Sequence, residues 1–93
     1  MPDPVNLAPR MNLQATKTLH ARLAELTSDD VTIDASAVEF LGGLAAQTLV
    51  AAQRTWRRNG RIFALRNCSA AFWQSLDELG MRALLVTEGG LAW

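Results

Sequence analysis

The chain has 93 residues, 49% of them hydrophobic and 19% charged, which suits one packed domain and is too short for two. Nine basic residues balance nine acidic ones, so the formal net charge of +0 argues against a nucleic-acid or anionic-membrane binder working through bulk charge. One cysteine, Cys68, excludes an internal disulfide and suits a reducing compartment. Balanced charge also leaves little self-repulsion, which permits close association with another protein and weak self-association. The longest charge-free stretch, between Glu39 and Arg54, falls short of the ~20 apolar residues of a membrane span and contains Gln47 and Thr48. The Met-Pro-Asp-Pro start has neither the basic nor the apolar region of a signal peptide. One cytoplasmic domain over residues 1–93, without membrane insertion, is the expectation.

In chain order, Val5–Ala8 is a brief apolar run closed by Pro9 and reads as a first strand. Asn12 is placed to cap a helix whose apolar stripe is Leu13, Thr16, Leu19, Leu23 and Leu26. The polar run Thr27-Ser28-Asp29-Asp30 ends that helix. Val31-Thr32-Ile33-Asp34 is β-branched and of strand length, so it is expected as the central strand, buried on both faces. A turn through Val38 to Gly43 leads into a long second helix with Ala45, Leu49, Ala52 and Trp56 on its buried stripe. Arg54, Arg57 and Arg58 gather near its negative end, and Asn59-Gly60 stops it. Arg61–Leu65 reads as the third strand. Ser69 caps a third helix carrying Phe72, Trp73, Leu76 and Leu79, and Gly80 terminates it. Leu84-Leu85-Val86 is expected as a last strand, before a Gly89-Gly90 tail and the terminal Trp93. The order β-α-β-α-β-α-β predicts an α/β fold with a mainly parallel four-stranded sheet and three main helices.

Catalytic machinery is sparse, and no cofactor motif is present. His20 is the only histidine and reads as a surface or boundary residue. Cys68 follows Asn67 at a strand end and reads as a small buried thiol. Asp34 and Ser36 lie where the central strand ends, the place where parallel sheets put binding sites. With no third group nearby, they read as a turn in which both bond to local backbone. Gly42-Gly43 opens a helix, but without a Gly-x-x-x-x-Gly-Lys-Ser/Thr or Gly-x-Gly-x-x-Gly pattern it reads as a tight turn, not a phosphate cradle. Trp56 is in phase with the second helix's core stripe. Phe72 and Trp73 are adjacent, so one of the two is left partly exposed for a partner. No enzyme is expected from these residues.

The stretch Val-Thr-Ile-Asp-Ala-Ser-Ala-Val-Glu-Phe-Leu-Gly-Gly-Leu-Ala from Val31 resembles the centre of STAS domains, the fold of bacterial anti-sigma factor antagonists and sulfate-transporter tails. Asp34, Ser36 and Val38 match the family's Asp-x-Ser-x-Val, and Phe40 and Leu41 match the apolar pair that follows. Leu7, Pro9, Met11, Asn12, Leu13 and Leu19 resemble the family's opening, and Ser69, Phe72, Leu76, Leu79 and Gly80 its third helix. Where phosphorylatable members carry Asp-Ser-Ser-Gly, this chain has Gly42-Gly43-Leu44-Ala45. The resemblance puts Leu44 at the phosphoacceptor position, where no hydroxyl is available, and leaves Ser36 as the nearest alternative acceptor.

The string Asp34 to Glu39 with Leu41-Gly42, Gln47, Leu49 and Trp56 looks closest to small STAS proteins encoded with alphaproteobacterial chemotaxis genes. The resemblance implies a non-catalytic module with no cofactor, metal or nucleic acid. Its partner surface would comprise Phe40, Leu41, Gly42, Gly43, Leu44, Ala45 and Gln47, with Thr48 at the margin. The implied partner is a kinase of the GHKL class, either an anti-sigma kinase or the chemotaxis histidine kinase. An alternative is a cytoplasmic subunit docking on a lipid-transporting ABC ATPase, although those subunits usually keep a threonine that Gly43-Leu44 lacks. The weakest reading is a small enzyme or nucleotide binder built on Asp34, Ser36 and the glycine turn.

Overall fold

A computed structural model describes residues 3–87, so the expected Gly89-Gly90 tail and Trp93 lie outside the described residues. Along the chain run β1 (Val5–Asn6), β2 (Arg10–Met11), α1 (Leu13–Ala24), β3 (Val31–Asp34), β4 (Phe40–Leu41), α2 (Gly43–Arg58), β5 (Phe63–Arg66), α3 (Ala70–Leu79) and α4 (Arg82–Thr87). Among the described residues every strand pairing is parallel. The α/β reading holds.

The sheet differs from the expected single four-stranded one. It is a three-stranded sheet in the order β1-β3-β5 beside a separate two-stranded ladder of β2 and β4. The apolar run at the start of the chain splits because Pro9 has no N–H to continue the first ladder. Its carbonyl instead accepts the N–H groups of Glu39 and Phe40, at 2.8 and 3.0 Å. Arg10 then lies opposite Phe40 and Met11 opposite Leu41.

The expected last strand is also overturned, because Leu84-Leu85-Val86 lies in α4. The leucines favour helix intrinsically, and the Leu85 N–H finds the Met81 carbonyl at 3.1 Å without needing a partner strand. Leu85 is fully buried and Leu84 exposed, which is the one-sided burial of a surface helix and not of a core strand. The Arg82 guanidinium meets the Asp77 carboxylate at 2.9 Å and lies over the Trp73 ring, tying α4 back to α3.

The central position of β3 is as expected, with Ile33 opposite both Val5 and Leu65. Its burial is one-sided: Val31 and Ile33 are enclosed, whereas Thr32 and Asp34 on the opposite side of the pleat are half-buried. Against the core α2 lays Ala45, Ala46, Leu49, Val50, Ala52, Gln53 and Trp56. Trp56 meets Phe63 edge to face at 5.9 Å, and its indole N–H donates to the Asp29 carbonyl at 2.7 Å. The expected caps form: Asn12 Oδ1 accepts the Ala15 N–H at 3.0 Å, and Ser69 Oγ accepts the Phe72 N–H at 3.1 Å. Gly80 takes the left-handed conformation at φ 69° that ends α3. Of the adjacent aromatic pair, Phe72 is fully buried and Trp73 partly so.

Two outcomes follow for stability. A carboxylate at Ile33, which is wholly buried and paired with the apolar Val5 and Leu65, costs several kcal/mol of a domain stability of about 5–15 kcal/mol. Ile33→Asp is therefore expected to abolish the cooperative melt in circular dichroism; an unchanged melt would displace β3 from the centre. Gln53 is 1% exposed, and neither its Oε1 nor its Nε2 has a hydrogen-bond partner among the described residues. Burying an unsatisfied amide costs about 1–3 kcal/mol. Gln53→Met, close in volume, is expected to raise the melting temperature by roughly 4–8 °C for each kcal/mol relieved. A lower melting temperature would contradict that account.

Candidate partner-binding site

The short β2–β4 ladder decides where the candidate residues meet. Each of its strands runs directly into a helix: β2 through Asn12 into α1, and β4 through Gly42 into α2. Because the strands are parallel and adjacent, the two helix starts lie side by side. The Gly42 N–H donates to the Met11 carbonyl at 3.1 Å. A side chain at Gly42 would bring its Cβ to 3.1 Å from that same carbonyl oxygen, so glycine allows the close approach. Gly42 also leaves α2 without a side-chain N-cap.

The expected surface residues divide by burial. Leu44, Phe40 and Gln47 are exposed, and Gly42 and Gly43 are half-exposed. Leu41 and Ala45 are buried in the core, so they support the surface from beneath. Thr48 is half-buried, and its hydroxyl donates to the Leu44 carbonyl at 2.8 Å. Sequence reasoning missed two members of the same patch. Leu13, at the start of α1, is 57% exposed although it stands on that helix's apolar stripe. Leu79, at the end of α3, is exposed, and its Cδ2 would lie 3.8 Å from a Cβ at Gly43. The one available signal was apolar residues at helix ends, which spacing alone assigns to the core. Arg10 lies over the Phe40 ring at 5.4 Å from its centroid. Leu13, Phe40, Leu44 and the two glycines border a shallow cavity of about 240 Å³ floored by Met11, Thr16 and Ala45.

The other candidates form no reactive group. Asp34 Oδ1 accepts the Ser36 N–H at 2.9 Å, and Asp34 Oδ2 accepts from the Asn67 side-chain amide at 3.2 Å. Asn67 itself sits in the left-handed region at φ 55°, a conformation that asparagine tolerates. This is a structural corner that joins the ends of β3 and β5; Asp34 bonds to local backbone as the turn reading expects, whereas the Ser36 hydroxyl bonds to the Asp34 carboxylate instead. The Cys68 thiol is pushed up to about 11 by burial and by the nearby Asp34 charge, so it stays protonated and weakly nucleophilic. His20 is exposed, beside a groove of about 410 Å³ between α1 and α2. Two of that groove's hydroxyls, on Thr48 and Thr55, already donate to carbonyls of their own helix.

The Ser36 hydroxyl and N–H, then the Asn67 amide, hold the Asp34 carboxyl below its ordinary value of 3.8. A carboxyl depressed in the native state stabilises the fold above its unfolded pKa, and that stabilisation is lost as pH falls through the native pKa. Asp34→Asn keeps an oxygen acceptor for the turn and removes the charge. The variant is expected to melt below the parent at neutral pH, with the difference narrowing below about pH 4. A difference that stays constant with pH, read from melts across an acid series, would refute the electrostatic account.

No curated protein and no solved structure matches the chain significantly. A protein-family model described as "Mlab, STAS domain" matches residues 2–87. Parallel α/β topology, the Asp34–Ser36 corner and this match across nearly all of the sequence agree, and the chain belongs to the STAS domain family.

Proposed function

We propose that this chain is a non-catalytic regulatory module, similar to anti-sigma factor antagonists, that binds a GHKL-class kinase through the Phe40–Gln47 surface. STAS domains are generally regulatory modules without catalytic activity. The observation that carries the reading is Leu44, which stands 52% exposed at the start of α2 beside exposed Phe40. Gly42, Gly43 and Leu44 offer no hydroxyl or carboxylate, so the surface has no phosphate-gated charge. The Phe40–Gln47 segment itself carries no charge to desolvate or to switch, which makes binding constitutive. By favouring one of two kinase conformations, the bound module shifts the kinase's activity. The reading places the protein in the cytoplasm with signalling kinases, and the likeness to chemotaxis-linked STAS proteins points to a chemotaxis histidine kinase or an anti-sigma kinase.

Affinity-tagged protein in its host, followed by mass spectrometry and titration of the identified partner, tests this. A GHKL kinase is the expected capture; an ABC ATPase in its place would transfer the module to lipid transport. Leu44→Asp is expected to retain its circular dichroism spectrum, because an exposed carboxylate stays hydrated in the free protein. In the complex that carboxylate is desolvated, and a penalty of about 2–3 kcal/mol weakens binding roughly thirty- to a hundredfold. Arg58→Glu, about 20 Å along the same helix, is expected to leave affinity nearly unchanged. The opposite pattern would move the interface away from the α2 N-terminus.

A further inference from the structure

Resting on that reading, we propose that the surface is a socket for one large apolar side chain of the partner, and that Arg10 reads an acidic residue next to it. The exposed apolar side chains lining the socket come from three separate elements, and Leu79 of a fourth flanks it. Leu13 begins α1, Phe40 lies in β4, Leu44 opens α2, and Leu79 ends α3 across Gly43. All four are exposed by at least 40%, although the buried core is supplied generously with leucines elsewhere. Large apolar side chains brought together in water from distant parts of the sequence mark a contact surface.

The size of the depression selects the occupant. Its volume of about 240 Å³ falls below the roughly 300–1,000 Å³ of small-molecule pockets, and it is open to solvent. One inserted side chain suits it better than a free metabolite. Its lining is almost wholly apolar, and its floor is the fully packed Met11 and Ala45, so the fit is to a leucine, methionine or phenylalanine.

Arg10 supplies the polar half of the recognition. Register pairs it with Phe40, so both project from the exposed side of the ladder while Met11 and Leu41 fill the core side. Its guanidinium lies over the Phe40 ring and makes no ion pair among the described residues. Glu39 and Glu78, the acids next to Phe40 and Leu79 in sequence, are exposed and do not pair with it. A planar fork of donors held over Phe40, itself a lining residue of the socket, is complementary to a carboxylate. An arginine and an aromatic together are also the residues that dominate interface energetics. The partner segment therefore presents an apolar knob with an aspartate or glutamate alongside.

Three alanine-based helical peptides probe this directly by titration into isotope-labelled full-length protein, with amide shifts recorded by NMR. One carries leucine with glutamate a turn away, the second leucine with lysine, and the third alanine with glutamate. The leucine–glutamate peptide is expected, at millimolar concentration, to shift the amides of Leu13, Phe40, Gly43, Leu44 and Leu79. Replacing glutamate by lysine is expected to weaken binding about two- to fivefold, and replacing leucine by alanine about tenfold. Arg10→Glu is expected to reverse the order of the two leucine peptides.

No shifts with the first peptide, equal affinities for all three, or shifts confined to the α1–α2 groove would overturn the proposal. Concentration-dependent shifts at these residues without peptide would also overturn it and assign the socket to a second copy of the chain. The kinase reading fails separately. If Leu44→Asp loses the captured kinase while Arg10→Glu and Leu79→Ala keep it, the kinase stands and the socket falls. If the peptides behave as expected and no kinase is captured, the socket stands and the kinase falls.

Discussion

The Pro9 carbonyl accepts two N–H groups from Glu39 and Phe40, and the Met11 carbonyl accepts a third from Gly42. This small parallel ladder joins residues about thirty positions apart, and it holds the starts of α1 and α2 together. Parallel pairing matters because both strands then point the same way, so the helices that follow them begin at one edge of the molecule. An antiparallel pair would send the helix starts to opposite ends. Proline at the head of the ladder serves the arrangement by withholding a donor from the β1–β3 pairing while offering its carbonyl across to β4.

Behind that edge the structure is held by a few groups that each make two connections. Ser69 caps α3 through the Phe72 N–H, and its hydroxyl donates to the Val38 carbonyl at 2.7 Å. The same side chain thus starts a helix and fastens the segment leading to β4. Asp34 closes the turn at Ser36 and also receives the Asn67 amide, so the ends of β3 and β5 are locked together. Trp56 fills core space and binds the loop after α1 through its indole N–H.

The candidate site exposes apolar side chains, with Leu44, Phe40, Leu13 and Leu79 around half-exposed glycines. The polar residues at the strand ends face other duties. Asp34 is engaged by Ser36 and Asn67, and burial together with the Asp34 charge keeps the Cys68 thiol protonated. Under the proposed reading, regulation through such a surface would rest on affinity differences between partner conformations.

Local signals determined much of this protein. The caps at Asn12 and Ser69, the glycine stops at Gly60 and Gly80, the β-branched β3 and the core stripe of α2 all follow from short-range physics that neighbouring residues fully specify. The motif around Asp34, Ser36, Phe40 and Leu41 also carried the family likeness. Tertiary structure alone decided the rest. Leu84-Leu85-Val86 is short and apolar enough for strand or helix, and α4 formed because local hydrogen bonds and the Arg82–Asp77 pair were within reach and no strand partner was needed. The β2–β4 ladder was illegible because a pairing of two residues on each side is specified by its distant partner, not by its own sequence. Leu13 and Leu79 read as core for the same reason: periodicity shows which face of a helix is apolar, and only packing shows whether the helix end projects beyond the element that would cover it.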